Sequence, residues 1–287
     1  LAIRILVSTP YVLFVIGERA RTLLAATRFA DVRWVAETGS TNADALELAR
    51  AGEPEGIVLV ADHQTAGRGR QGRTWTAPPG ASLLATVLLR PPSRVASLTT
   101  TALGLAAVDA IGEAAGVELA MKWPNDLVWA GAEGDRKLAG ILAEADWPLG
   151  VSASSGARTP APDERLVVAA GIGINVVWPG DLPDELEAIA TAINHITGRE
   201  IDREDLLVAM LQHLDRWYGT LLAGETEAVV AAWRTRLSTL GREVRVDLGT
   251  DDVVGTAVDV TDAGHLVVRT LEGTTRTFAA GDVIHLR

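Results

Sequence analysis

Three features of this sequence of 287 residues predict an α+β fold in two parts. Helical and strand periodicities alternate up to about Gly241, and from there the chain reads as short strands separated by turn-rich segments. With 48% of residues apolar and 22% charged, the composition is that of an ordinary globular protein able to bury a sizeable core. These features place an N-terminal extension of undetermined structure at 1–31, a larger domain at 32–240 and a smaller one at 241–287.

The first residues are apolar (Ile3, Ile5, Leu6, Val7, then Val12 to Ile16), but Arg4 and Pro10 interrupt them. That is short of the about 20 apolar residues a membrane-spanning helix needs, and no small-residue cleavage site marks a secretory signal. The segment reads as extra packed chain, or as a start assigned too far upstream, in a cytoplasmic protein without membrane contact. Ser40, Thr41 and Asn42 precede a helical pattern in which Thr41 with Asp44 resembles a capping box, and Gly52 and Pro54 end it. Residues 56–63 (GIVLVADH) and 82–90 (SLLATVLLR) read as buried strands, the second closed by Pro91-Pro92. An alanine-rich helix is predicted at 95–115, stopped by Gly116, the residue type that best accepts a left-handed turn.

Strand-like pieces follow at 118–122, 137–144 and 165–177. Between the last two, 147–164 is rich in Pro, Ser, Gly and Ala and reads as a surface insertion without chemistry. Helical patterns resume at 184–197 and 202–240, with Gly198 and Gly224 as breaks. In the tail, Val244, Val246 and Leu248 alternate, and runs at 254–260, 266–271 and 283–286 are separated by LGTDD, TDAGH and LEGTT. Short antiparallel strands of this kind pack as a small barrel, because closure removes exposed edges.

The absence of cysteine excludes disulfides, thiolate metal sites and a cysteine nucleophile. A formal charge of −11 argues against a broad nucleic-acid footprint, which needs many lysines and arginines against phosphates. One local basic site stands out, with Arg68, Arg70 and Arg73 close together in the loop GRGRQGRTW at 67–75. Glycines there permit close backbone approach, the guanidinium forks suit carboxylate and phosphate, and Trp75 adds a flat apolar wall. The loop is either an anion site or a solvated RG-rich turn of the kind that binds nucleic acid. Its spacing does not match the P-loop pattern.

Lys122-Trp123-Pro124-Asn125-Asp126 follows a short strand, and its Asn and Asp oxygens suit magnesium, which takes one or two carboxylates plus substrate phosphates. A plain surface turn is the other reading. In 137–144 (KLAGILAE), alternation places Lys137 and Ala139 on one strand face, and Lys137 is either functional or an exposed strand end.

Taken in order, GSTN at 39–42, QTAGRGRQGRTW at 64–75, KWPND at 122–126, KLAGILAE at 137–144 and GIGIN at 171–175 resemble the biotin protein ligase family. The resemblance spans about 32–177 and extends to the terminal strands, which look like the family's small SH3-like barrel. It implies a mixed-sheet, class II synthetase-like domain that binds biotin and ATP, forms biotinyl-5′-AMP, and passes biotin to a lysine of a biotin carboxyl carrier domain of an acyl-CoA carboxylase or a related enzyme.

By that resemblance Ser40, Thr41, Asn42 and Gln64 contact the biotin ureido group, and Gly140 helps wall its apolar body. Arg68, Gly69, Arg70 and Lys137 lie along biotin and the carboxylate–phosphate junction, with Lys137, Arg68 and Arg70 as the catalytic charges. Arg73, Trp75, Lys122, Asn125, Asp126 and Asn175 stand on the ATP side, and Asp126 holds Mg2+. Some members carry an N-terminal winged-helix DNA-binding domain. Only 39 residues precede Ser40, near the about 40 below which a domain rarely folds unaided, so no DNA binding is expected. A homodimer stays open, as do two rival readings: a lipoate protein ligase, and a non-catalytic binding protein with an SH3-like module.

Overall fold

The computed structural model describes residues 13–131, 134–146, 158–249 and 252–286. Its first part contains β1 (Leu13–Phe14), α1 (Glu18–Leu24), β2 (Val32–Thr38), α2 (Thr41–Arg50), β3 (Val58–Gln64), β4 (Ser82–Leu89), α3 (Ser93–Ala96) and α4 (Thr99–Ala115). Next come β5 (Ala120–Lys122), β6 (Asp126–Gly131), β7 (Gly134–Asp146), β8 (Val167–Asn175), α5 (Asp184–Glu187), α6 (Ile193–Thr197), α7 (Arg203–Leu222) and α8 (Thr226–Arg236). The C-terminal part is β9 (Glu243–Asp247), β10 (Asp252–Val260), β11 (Leu266–Thr270), β12 (Thr275–Phe278) and β13 (Asp282–His285).

The first eight strands form one mixed sheet in the order β1-β2-β3-β4-β8-β7-β6-β5. Only β2 and β3 run parallel, and α2 is the crossover that such a pair requires. Every residue of β4 is buried because the sheet is covered on both faces, which is why SLLATVLL reads as a near-continuous apolar run. Leu83, Val87 and Leu89 pack with α4 and α7, whereas Leu88 packs with Leu48 of α2 and Thr86 bonds to its first turn. Glycines on β7 and β8 leave part of the α2 face open, and the site lies there. Among the described residues no helix is long and apolar enough to cross a membrane.

Several elements differ from the sequence reading. The capping box of Thr41 with Asp44 is not formed: the helix starts one residue earlier, with Ser40 as its N-cap, Thr41 N and Oγ1 both donate to Gln64 Oε1, and Asp44 Oδ2 accepts from Thr38 Oγ1 at 2.6 Å. Strands β2, β6 and β12 lack a clear alternating pattern in the sequence and come from pairing with neighbours. The helical run at 95–115 is a short turn followed by α4, which does end on left-handed Gly116. The patterns at 184–197 and 202–240 each resolve into two helices, the latter broken at Gly224 with φ +85°. Of the insertion at 147–164, residues 147–157 lie outside the described residues, as do residues 1–12 of the apolar start.

The tail is a five-stranded antiparallel sheet in the order β12-β11-β10-β9-β13. The predicted closure into a hydrogen-bonded barrel is not seen: the short link at 279–281 carries β13 across to pair with β9, leaving β12 and β13 as opposite edges. Val244, Val246, Leu266 and Val268 share one apolar cluster with α4, α7 and Trp123. Trp123 Nε1 donates to Gly264 O at 3.1 Å, tying the two sheets together.

Candidate functional site

The site begins where β2 passes into α2. A helix N-terminus leaves unpaired N–H groups, and here the cap comes from another strand: Thr41 N donates to Gln64 Oε1 at 2.8 Å and Thr41 Oγ1 to the same oxygen at 3.0 Å. Thr86 Oγ1 on β4 stands 2.7 Å from both Thr41 Oγ1 and Asn42 Oδ1, and its single hydrogen serves one at a time. Asn42 Nδ2 donates to Leu142 O at 3.0 Å and to Glu144 Oε2 at 2.9 Å. Gly171 permits this, since a Cβ there would stand 2.1 Å from Asn42 Oδ1. The result is a head pocket of about 360 Å³, open solvent included, in which neutral polar groups from Ser40, Thr41, Asn42 and Gln64 meet apolar walls from Leu84, Leu142 and Ile172.

The Trp75 indole bounds this pocket on one side. It lies on bare backbone: Cβ atoms built at Gly140 and Gly173 would come within 3.0 and 2.7 Å of ring carbons. Its Nε1 is buried without a hydrogen-bond partner. The loop that carries it is held by Gly69 N to Arg73 O at 2.6 Å and Trp75 N to Gly67 O at 3.0 Å. Gly67 is needed because a Cβ would meet Trp75 O at 2.4 Å, and Gly72 because its φ is +73°.

Beyond the indole opens a charged outer cleft of about 1060 Å³, which includes open solvent. Each of its principal cations faces a carboxylate. Arg68 Nη1 is 3.1 Å from Glu144 Oε1, and Lys137 Nζ is 2.7 Å from Asp126 Oδ1 and 5.5 Å above the Trp75 ring. Arg73 Nη2 is 2.5 Å from Asp282 Oδ2, while Arg70 Nη1 lies 3.6 Å from Asp282 Oδ1 and donates to Gly281 O at 3.2 Å. Burial lowers the pKa of Arg70, and burial likewise lowers that of Lys122 against the pull of Asp126 and Asp135.

Lys137 reaches this cleft through a β-bulge. Leu127 pairs with Ala139 but Val128 with Lys137, so Leu138 is the extra residue. The bulge reverses the expected alternation: Lys137 shares a face with Gly140, whose Cβ would meet Nζ at 3.0 Å, while Ala139 packs into the core.

The head pocket thus gathers Ser40, Thr41, Asn42, Gln64 and Gly140, and the outer cleft gathers Gly69, Arg70, Arg73, Lys122, Asn125, Asp126 and Lys137. Arg68, Trp75 and Gly140 line both. Asn175 is not brought to the cleft: it is 6% exposed, accepts from Ser82 Oγ at 3.1 Å and donates to Thr191 O at 3.0 Å, which makes it a structural tie. Asn125 does face the cleft, though its amide also donates to Ile141 O at 2.6 Å. Sequence reasoning missed Thr86, Glu144 and Asp282. A threonine in the middle of a wholly apolar run was a usable signal for Thr86, whereas nothing local marked Asp282, which is 209 residues from Arg73.

No group of three or more acidic or histidine side chains among the described residues could hold a metal ion unaided. The partly exposed Asp126 carboxylate fits magnesium in the way substrate-bound magnesium is held, by one carboxylate with the remaining oxygens from phosphate and water.

Models of known families match two stretches: the biotin/lipoate A/B protein ligase family over residues 35–146, and the biotin protein ligase C-terminal domain over 239–286. A biotin–[acetyl-CoA-carboxylase] ligase of Mycobacterium tuberculosis is 36% identical over 265 residues, covering 88% of each chain. One of Paracoccus denitrificans is 35% identical, covering 82% of this chain and 92% of the relative. Among solved structures, the biotin protein ligase from Aquifex aeolicus in complex with biotin and ATP superposes with a TM-score of 0.71 at 28% identity, over 90% of this chain and 100% of that one. Motifs, fold and relatives agree, and the chain belongs to the biotin protein ligase family of enzymes.

Proposed function

We propose that this enzyme condenses biotin with ATP to biotinyl-5′-AMP and then transfers biotin to one lysine of a biotin carboxyl carrier domain of an acyl-CoA carboxylase or related enzyme. One observation carries the reading: a neutral head pocket opens at Arg68, Trp75 and Gly140 into a cleft lined with cations. A molecule with a polar uncharged head and an anionic tail fits that sequence of environments.

In this reading Ser40, Thr41, Asn42 and Gln64 hold the ureido ring, which has both donors and an acceptor, and the valeryl chain runs past Gly140. Its carboxylate ends between Arg68, Arg70 and Lys137. Lys122, Arg73 and Asn125 face the nucleotide, Trp75 swings aside to cover it, and Asp126 would hold magnesium with the phosphates. A carboxylate oxygen attacks the α-phosphorus as the bond to pyrophosphate breaks. Two anions meet, so catalysis rests on fixed cations that stabilise the charge growing on the α-phosphate. The acceptor lysine, as a neutral amine, then attacks the acyl carbon, expels AMP and loses a proton. Proximity supplies most of that second acceleration.

The need for ATP supports an intracellular, cytoplasmic reaction. Lipoate shares the carboxylate but its dithiolane ring has no N–H donor for Thr41, Asn42 and Gln64, which favours biotin. ATP–pyrophosphate exchange with magnesium tests this. Exchange with biotin alone is expected; exchange with lipoate alone, or with neither acid, would overturn the reading.

A further inference from the structure

Glu144 has no role in the reactions above, yet it joins the two halves of the site. It stands near the end of β7, and its oxygens go to different places. Oε2 accepts from Asn42 Nδ2 at 2.9 Å, and Oε1 lies 3.1 Å from Arg68 Nη1. Asn42 is 5% exposed and is engaged from its other end by Thr86, so that side of the link is fixed to the sheet. Arg68 is a loop residue whose side chain is 46% exposed.

A carboxylate beside a site for two anions would oppose binding by charge alone. Its presence is explained if it orients the arginine. A guanidinium has five N–H groups in a planar fork, so an ion pair made through Nη1 alone leaves other donors for the cleft. We infer that Glu144 is a positioning residue, a single carboxylate that anchors Arg68 of the loop to Asn42 of the head pocket and so keeps the loop over the mouth where the intermediate is retained. Glu144 thereby couples recognition of the acid to retention of the adenylate. This rests on the reading that the site forms biotinyl-5′-AMP.

The hydrogen bond and the ion pair make separable predictions. Glu144→Gln removes the charge facing Arg68 but keeps an oxygen for Asn42, whereas Glu144→Ala removes both. The enzyme is loaded with biotin and ATP, pyrophosphate is removed, and release of labelled adenylate is followed, alongside the KM for biotin in pyrophosphate exchange. Both variants should release adenylate about fivefold faster than wild type, the scale of one partly exposed ion pair. Only the Ala variant should raise the KM for biotin, with Gln restoring it. In an Arg68→Ala background the Gln change should add nothing to release, because its partner is gone. Wild-type retention in Glu144→Gln, an equal effect with and without Arg68, or the same biotin KM in the Ala and Gln variants would each overturn the role. A wild-type enzyme that makes no adenylate from biotin would overturn the parent reading and this role together, a result distinct from the other three.

Discussion

The head pocket and the outer cleft meet at Trp75 but are built differently. In the head pocket Thr41, Asn42, Gln64 and Thr86 satisfy one another through neutral hydrogen bonds, at the end of β3, the middle of β4 and the start of α2. In the cleft Arg68, Arg70, Arg73 and Lys137 are paired with carboxylates from β6, β7 and β13, several of them on partly exposed side chains. The first is rigid because an unsatisfied buried polar group costs about 1–3 kcal/mol, so the network holds its shape with or without a ligand. In the second, each ion pair on a partly exposed side chain is worth only about 0–1 kcal/mol, so an incoming phosphate can displace the carboxylates facing Arg70, Arg73 and Lys137. Shape recognition therefore sits in the neutral half, and response to charge in the other.

The largest expected effect is in the cleft. Lys137→Ala should slow adenylation at least about tenfold, as measured by pyrophosphate exchange at saturating biotin and ATP. A rate equal to wild type would remove Lys137 from the chemistry and leave it as the counter-ion of Asp126. Next, Arg68→Ala should raise the rate of adenylate release about tenfold by freeing the loop that excludes water. Unchanged release would show that the loop closes without its first arginine.

In the head pocket, Thr86→Val deletes the hydroxyl shared by Thr41 and Asn42. The KM for biotin should rise about fivefold while kcat is nearly kept, because the binding lost is the same in ground and transition states. A fall in kcat instead would mean that the pocket also acts on the reacting end. Asp282→Asn tests the opposite property, the self-pairing of the cleft. With the counter-charge of Arg70 and Arg73 gone, the KM for ATP should fall about threefold. A rise would show that Asp282 holds the arginines in place rather than competing for them.

The smallest effect concerns stability. Burial first, then the Lys122 and Arg242 cations, depress His285 to about 4 from its usual 6.5. Between those values the unfolded chain takes up a proton that the folded one refuses, so stability falls as pH drops from about 6.5 toward 4. Melting temperatures at about pH 7 and about pH 5 should show this drop, and His285→Gln should flatten it. An unchanged slope in the variant would assign the acid sensitivity to other groups.

The motifs of the candidate site were legible because their residues are clustered in the chain. GSTN and the GRGRQGRTW loop are single segments whose composition already names neutral donors, cations and close backbone approach. Lys137 was identified but its direction was not, since strand alternation points it with Ala139 and a one-residue bulge turns it toward Gly140. Asn175 ends a glycine-rich motif, but the fold buries it and ties its amide to Ser82 and Thr191, a placement that only the packing of β4, β8 and the segment at 191 decides. Strand β6 carried no alternation to read, because its register is imposed by β7.

By itself the sequence determined the chemistry on offer: a neutral polar turn before a helix, an arginine-rich glycine loop, an acidic turn and a lysine-led strand, in an order shared with one enzyme family. It also determined the near-continuous apolar runs that bury β4 and β8 on both faces. Only the tertiary structure decided which charges face which. Glu144 meets Arg68 and Asp282 meets Arg73 because strands distant in sequence converge on the same loop. Such pairings depend on distances of a few ångströms between elements that local propensity does not constrain.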